Sequence, residues 1–237
     1  MTVFDDLLVV QEHDTRIDQL RHRRETLPQR ARLVEIGEQV AGLERVAAEA
    51  SAARDELARE QKLHEDEVAS LGDRKMSAEA KLYGGEVSNP RELQALQEEI
   101  EALGRRVDHL EDRTLDLMEQ IEPLDARLAE AASGVASARA EAESVEGQLT
   151  AAEAEVDAEI DGERAAREQR IADVAPELRA EYEQMRGQSG GIAIARLTGA
   201  QCGGCHLSLS AMEVARIRKL SPDVPVHCEE CGRLLAR

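Results

Sequence analysis

The sequence predicts a mainly α protein: a long antiparallel coiled-coil helical hairpin followed by a small C-terminal ribbon of short β-strands plus one short helix. Three observations carry that reading. The 237 residues include three aromatics (Phe4, Tyr83, Tyr182) and no Trp, while 33 % are charged. A globular core normally uses more aromatic bulk, and Ala/Glu/Leu/Arg-rich chains form long helices. An apolar heptad holds its register from Leu93 to Val156, which a disordered acidic segment would not do. Finally, all four cysteines crowd into the last sixth as two Cys-x-x-Cys pairs.

The first arm opens with Leu7, Val10, Ile17, Leu20 and Leu27, an apolar stripe whose register changes near Pro28. Proline in a helix interior removes a donor and clashes with the preceding turn, so Pro28 is expected to kink or split the arm. Beyond it Leu33, Val40, Ala47, Val68 and Leu82 share one heptad position, and Ile36, Leu43, Ala50, Leu57, Leu71 and Ala78 the other. Arg54, Gln61, His64 and Lys75 interrupt the stripe; His64 reads as a partly solvated seam residue.

The reversal is placed at 84–90, near residue 86. After Tyr83, Gly84 can take the left-handed conformation that ends a helix, with Gly85 behind it. Asn89 can cap the next helix, Pro90 suits its first position, and Glu92 falls where a capping-box carboxylate belongs. The returning arm reads Leu93, Ile100, Val107, Thr114, Ile121, Leu128, Val135, Ala142, Leu149 and Val156 at one position. Leu96, Leu103, Leu110, Leu117, Leu124, Ala131, Ala138, Val145 and Ala152 occupy the other. Pairing Leu82 with Leu93 makes facing residue numbers total about 175 and leaves two arms of equal length, each on the order of 120 Å at ~1.5 Å per residue. Matched arms favour pairing within one chain, so a monomer or weak dimer is expected. The seam resumes directly after Pro123, predicting a kink rather than a break. The small residues of Ala131–Ala142 predict a close approach or a bend.

The hairpin is assigned to 1–173. Residues 174–191 hold a short helix from Pro176 to about Arg186 and a flexible linker at Gly187–Gly191. Residues 192–237 form the ribbon. There Ile192, Ile194 and Leu197 alternate as a strand, Ser210 with Glu213 starts a short helix running to about Leu220, and Leu234-Leu235 closes the sheet. Cys202/Cys205 and Cys228/Cys231 each place two sulfurs on one tight turn, and two such turns complete the tetrahedron of thiolates that suits one structural Zn²⁺. The 22 intervening residues slightly exceed the usual window for this pattern. So small a core needs a metal staple.

Competing chemistries need contexts the chain does not offer. Cys202-Gly203-Gly204-Cys205-His206 also spells the c-type haem attachment signature, which requires export and leaves the second pair unexplained. Thioredoxin-like redox chemistry needs a βαβ unit. An iron site of rubredoxin type shares the spacing but packs an aromatic core; metal analysis finding iron or haem would overturn zinc. His206 and His227 read as exposed or supporting neighbours of the ligands. No nucleophile elbow, phosphate loop or carboxylate constellation appears, so a noncatalytic protein is expected. Asp5 and Asp6 follow the start and no apolar run approaches ~18 residues, which predicts a cytoplasmic protein without membrane attachment.

The formal charge is −19, of which 192–237 contribute +2 from six Lys/Arg and four Asp/Glu. Zinc on four thiolates adds about −2 there. Nucleic acid would be repelled by the rest of the chain and, if bound at all, would meet the ribbon. Arg196, Arg216, Arg218, Lys219 and Arg233 are its candidate contacts, for nucleic acid or for a partner. No aromatic is available there for base stacking.

The tip Tyr83-Gly84-Gly85-Glu86-Val87-Ser88-Asn89-Pro90-Arg91-Glu92-Leu93-Gln94-Ala95-Leu96 and the ending Cys228-Glu229-Glu230-Cys231-Gly232-Arg233-Leu234-Leu235, joined to a long acidic hairpin, resemble one bacterial family over the whole chain. These are the C4-type zinc-ribbon proteins with an N-terminal coiled-coil hairpin domain. The resemblance implies zinc on Cys202, Cys205, Cys228 and Cys231 and a noncatalytic role. Some members are described as chaperone- or adaptor-like, contacting an alternative sigma factor, secretion or flagellar components, or a transcript, and these partners differ across the family. Two functions are therefore expected to compete: an adaptor that docks a protein partner through hairpin and ribbon surfaces, including the exposed tip, and nucleic-acid binding by the ribbon. A structural coiled-coil spacer is the third.

Overall fold

Residues 2–85 and 87–237 are described by a computed structural model; Glu86, where the sequence puts the reversal, lies outside the described residues. The order of elements is α1 (Val3–Glu25), α2 (Pro28–Tyr83), α3 (Pro90–Ile171), α4 (Pro176–Gln188), β1 (Ile194–Thr198), β2 (Gln201–Cys202), α5 (Ala211–Lys219) and β3 (Leu234–Ala236). The fold is a long helical hairpin with a small three-stranded sheet and a short helix at its C-terminal end. Two units emerge: Met1–Ala31 with Val145–Arg237, and Arg32–Ser144.

Within Arg32–Ser144, α2 and α3 pair antiparallel. Ion pairs join Arg32 to Glu141, Arg54 to Asp125, Glu67 to Arg106 and Arg74 to Glu99, so the partner number falls as the α2 number climbs. The buried residues Ile36, Ala50, Ala78, Leu103, Leu110, Leu117, Ala131 and Ala138 all occupy the heptad seam. Arg54, Gln61, His64 and Lys75 are half-buried on the same stripe. The seam therefore passes through these polar residues, and Arg54 turns its guanidinium onto Asp125 at 3.3 Å. In the Ala-rich stretch a methyl group added to Gly134 would lie 2.9 Å from Leu43 Cδ1. The two helices do approach closely there, because small seam residues remove the side-chain spacer. Helix α3 continues through Pro123.

At the tip, α2 stops at Tyr83, which is 81 % exposed. The left-handed residue is Gly85 (φ 76°), not Gly84 as the sequence suggested. Gly84 is needed for space instead: a Cβ there would sit 2.6 Å from the Ala80 carbonyl oxygen, the oxygen to which the Gly84 N–H donates at 2.8 Å. Asn89 caps α3 by accepting from the Arg91 N–H at 3.0 Å, with Pro90 as the first helical residue.

In the other unit, Pro28 splits the first arm. Helix α1 ends at Glu25, the Thr26 N–H donates to the His22 carbonyl, and α2 begins at Pro28 itself, where a missing N–H costs nothing. Helix α1 starts on a capping box: the Asp5 N–H donates to Thr2 Oγ1 and the Thr2 N–H to Asp5 Oδ2. It pairs antiparallel with the end of α3 through Arg16–Glu159 and Arg24–Asp157, over a core of Ile17, Leu20, Val156 and Ile160.

The ribbon sheet has the order β2-β1-β3, with β1 antiparallel to β2 and parallel to β3. Its β1 and β3 residues alternate between two cores. Ala195 and Leu235 face the cysteine side with Leu209, Val214, Ile217 and Val226. Ile194, Leu234 and Ala236 face a second core with Phe4, Leu7 and Val10 of α1, Ile171 and Val174 after α3, and Tyr182 of α4. Each large side chain so buried contributes about 1.5–3 kcal/mol relative to exposure, so the ribbon is welded to the helical base. The flexible linker expected at Gly187–Gly191 is corrected accordingly. Gly187 and Gln188 belong to α4, Gln11 Nε2 donates to the Gly191 carbonyl at 2.8 Å, and the Ala193 N–H donates to Gln11 Oε1 at 2.6 Å. Positive φ at Gly190 and Gly191 makes the turn.

Candidate metal centre

Both cysteine turns are built alike. The Cys202 N–H donates to the Leu207 carbonyl and the Cys228 N–H to the Arg233 carbonyl; the His206 and Gly232 N–H groups donate back to Cys202 and Cys228. The residue after the second cysteine is left-handed in each, His206 at φ 63° and Gly232 at 74°. The Gly203-Gly204 pair answers crowding rather than φ. A Cβ on Gly203 would meet the Arg196 carbonyl oxygen at 3.0 Å, and one on Gly204 would meet Arg233 Cδ at 2.8 Å. With that space free, the Gly204 N–H points at Cys202 Sγ at 3.4 Å.

The four sulfurs lie within 4.8 Å of one another. Cys202 and Cys231 are 4.0 Å apart and Cys205 and Cys228 3.8 Å. A tetrahedron with ~2.3 Å Zn–S bonds has edges of about 3.8 Å, so the donor set fits one structural Zn²⁺, and the gaps are far too long for ~2.05 Å disulfides. Without metal the thiols differ. Burial pushes Cys228 up to about 12. Burial also opposes ionisation of Cys231, but hydrogen bonds from the Arg233 backbone and side chain, with those from neighbouring thiols, outweigh it and bring the group to about 7. Four thiolates around the ion leave no position for water or substrate.

The five cations expected to form a surface patch do not act together. Arg196 faces Asp5 at 3.8 Å. Arg216 forks onto Glu213 at 2.7 and 2.5 Å. Arg233 donates to the Ser189 and Ile192 carbonyls at 2.8 and 2.9 Å. Among the described residues, Arg218 and Lys219 have no ion-pair partner. His206 is exposed, and His227 Nε2 lies 2.5 Å from Glu181 Oε1. Tyr83, Gly84, Gly85, Asn89 and Pro90 form the tip, away from the thiols in sequence and in the other unit.

A polar cluster beneath the ribbon went unread in the sequence. Asp14, 3 % exposed, accepts from Tyr182 Oη at 2.7 Å and Arg167 Nε at 2.8 Å, and faces Arg186 Nε at 3.4 Å. Its signal was present: Asp14 stands seven residues after Leu7 in the apolar stripe, where a carboxylate needs buried partners. At the C-terminus, Arg237 donates to the carbonyls of Ile217, Leu220, Ser221 and Val224, tying the end of α5 and the turn after it to β3.

Comparison with known proteins agrees with this architecture. The CT398-like coiled coil hairpin domain matches residues 10–190, and the C4-type zinc ribbon domain matches 201–235. The chain is 32 % identical over 234 residues to Uncharacterized protein Rv2229c of Mycobacterium tuberculosis, covering 98 % of this chain and 94 % of that one. A solved Mycobacterium smegmatis structure is 27 % identical with a TM-score of 0.89, covering 99 % of this chain and 97 % of the other. CT398 from Chlamydia trachomatis, at 21 % identity, a TM-score of 0.71 and the same coverage, shares the fold.

Proposed function

Because the chain belongs to the CT398-like coiled coil hairpin family and carries a C4-type zinc ribbon, we propose that it is a noncatalytic adaptor that binds a partner protein through hairpin and ribbon surfaces. One observation carries this reading: a metal site closed by four thiolates lies on one face of a sheet whose other face packs against the helical base. Such a site has no reactive position, and its binding energy goes into holding a surface in shape. The exposed hairpin faces are strongly acidic, which supports steering of a partner by charge. Among the described residues no helix is long and apolar enough to cross a membrane, and we expect the protein in the cytoplasm, where thiols stay available to zinc.

Nucleic-acid binding is less well supported, since three of the five candidate cations are engaged within the chain. Full-length, zinc-loaded protein used as bait at low ionic strength tests the adaptor reading. It should retain a saturable partner protein that is released as salt rises, because the Debye length shrinks from roughly 10 Å at 0.1 M to 3 Å at 1 M. Absence of any saturable partner across that range would overturn it. In a parallel gel shift, a full-length protein that retained RNA or DNA more tightly than any protein would favour the nucleic-acid reading.

A further inference from the structure

Resting on the adaptor reading, we infer that the ribbon carries a docking groove for an acidic amphipathic helix of the partner protein. A depression of about 650 Å³ lies between one face of α5 and the turn joining β1 to β2. Its floor is apolar, with Leu209, Ala200, Ala211 and Ala215, and Arg218 and Lys219 stand at its rim. Among the described residues, no carboxylate lines it. Glu213, the one acid on α5, is buried and held by Arg216.

Charge complementarity names the occupant. The last turn of α5 suits cations, which offset the helix dipole, yet Arg218 and Lys219 meet no carboxylate among the described residues. Arg196 and Arg216 both do. An apolar floor with two free cations at one end fits a helix that sets an aliphatic side chain into the floor and a carboxylate one or two turns further on. A nucleic-acid strand fits less well: it would ask for a longer basic track and for stacking surfaces, and residues 192–237 contain no aromatic. A second copy of this acidic chain is the other occupant that the test must separate.

Fluorescence anisotropy on the full-length, zinc-loaded protein decides between them. The probe is a labelled synthetic helix of about 16 residues with Leu at i and i+4 and Glu one turn beyond, the spacing that sets both on one helical face. Its controls are the same peptide with Glu replaced by Gln or by Lys, and a single-stranded oligonucleotide. The Glu peptide should saturate. Its affinity should fall about tenfold in the R218E/K219E variant and with the Gln peptide, the scale expected when two charge contacts are lost or reversed. Ala215→Gln, which fills the floor, should weaken it similarly. Unchanged zinc content and circular dichroism establish that the variants fold, and hydrogen exchange should show protection by the peptide confined to residues 199–219. Equal binding by R218E/K219E, no saturation, or tighter binding of the oligonucleotide would overturn the groove. Concentration-dependent self-association abolished by the same variant would overturn the assignment to a partner protein. The bait experiment keeps the two readings apart. A partner retained equally by R218E/K219E removes the groove and leaves the adaptor, whereas a peptide bound in the groove with no partner retained removes the adaptor and leaves the groove.

Discussion

Asp14 is the side chain whose loss should be felt most among the polar residues. Asp14→Ala would leave the buried Tyr182 hydroxyl without its acceptor and Arg167 with only Glu168 and Glu183. Leaving a buried polar group unsatisfied costs about 1–3 kcal/mol, whereas Tyr182→Phe removes a single hydrogen bond worth about 1 kcal/mol. Thermal unfolding of the two variants and their double mutant should reproduce that ranking, with less than additive loss. Burial, then the hydrogen bond to Asp14 and the charge of that carboxylate, hold the Tyr182 hydroxyl protonated far above the ordinary phenol range. A phenol in the unfolded chain ionises near pH 10. Stabilisation from this group is thus complete below about pH 10 and is lost as pH rises further. Melting temperature should drop more steeply above about pH 10 in the parent than in Tyr182→Phe; equal slopes would refute the linkage. His206 offers a gentler case. Its left-handed backbone at φ 63° occupies the place that Gly232 fills in the second turn, so His206→Gly should be neutral or stabilising by up to about 1 kcal/mol.

Among the elements, the polar interruptions of α2 carry a measurable cost. His64 sits in the seam with Nδ1 buried and unpartnered. His64→Leu should stabilise the chain by about 1–2 kcal/mol, because it removes an unsatisfied polar atom and adds apolar contact; a fall in the denaturation midpoint would refute this. The seam itself was legible from sequence, down to the places where Arg54 and Gln61 interrupt it, because heptad spacing is a local property of the chain. So were Asn89 and Ser210 as helix caps. What could not be read locally was the junction. Gln11 clamps Gly191 and Ala193 from about 180 positions away, and nothing in the run Gly187-Gln188-Ser189-Gly190-Gly191 signals that. Gly84 was misassigned for a related reason: two adjacent glycines leave open which one turns, and the Ala80 carbonyl decides it. The four cysteines of the thiol turns were legible, but the hold of Arg233 on the Ser189 and Ile192 carbonyls was not. With Cys228 pushed up to about 12 in the metal-free chain, zinc uptake at neutral pH must displace protons. Titration calorimetry in two buffers of different ionisation enthalpy should detect that release, and zinc should be lost on acidification.

For the molecule as a whole, the shared core predicts that metal and helices melt together at one end. Removal of zinc by a strong chelator should raise hydrogen exchange in 192–237 and also in 3–10 and 171–185, since Phe4, Leu7, Val10, Ile171 and Tyr182 pack on Ile194 and Leu234. Residues 32–144, with their own seam, should keep their protection. Loss confined to 192–237 would mean that the ribbon core and the base are energetically separate. Phe4→Ala, which empties a site 2 % exposed, should cost about 3–5 kcal/mol and should increase the rate at which a chelator extracts the ion.

The same weld sets a timetable for biosynthesis. Phe4, Leu7 and Val10 leave the ribosome about 180 residues or more before Ile194 and Leu234, which cover them. At roughly 5–20 residues per second, the newborn amino-terminal helix waits on the order of ten seconds or longer with a greasy flank bare to its surroundings. A chain stalled before its final strand would keep that flank uncovered, and it is there that nascent-chain chaperones or aggregation would first take hold.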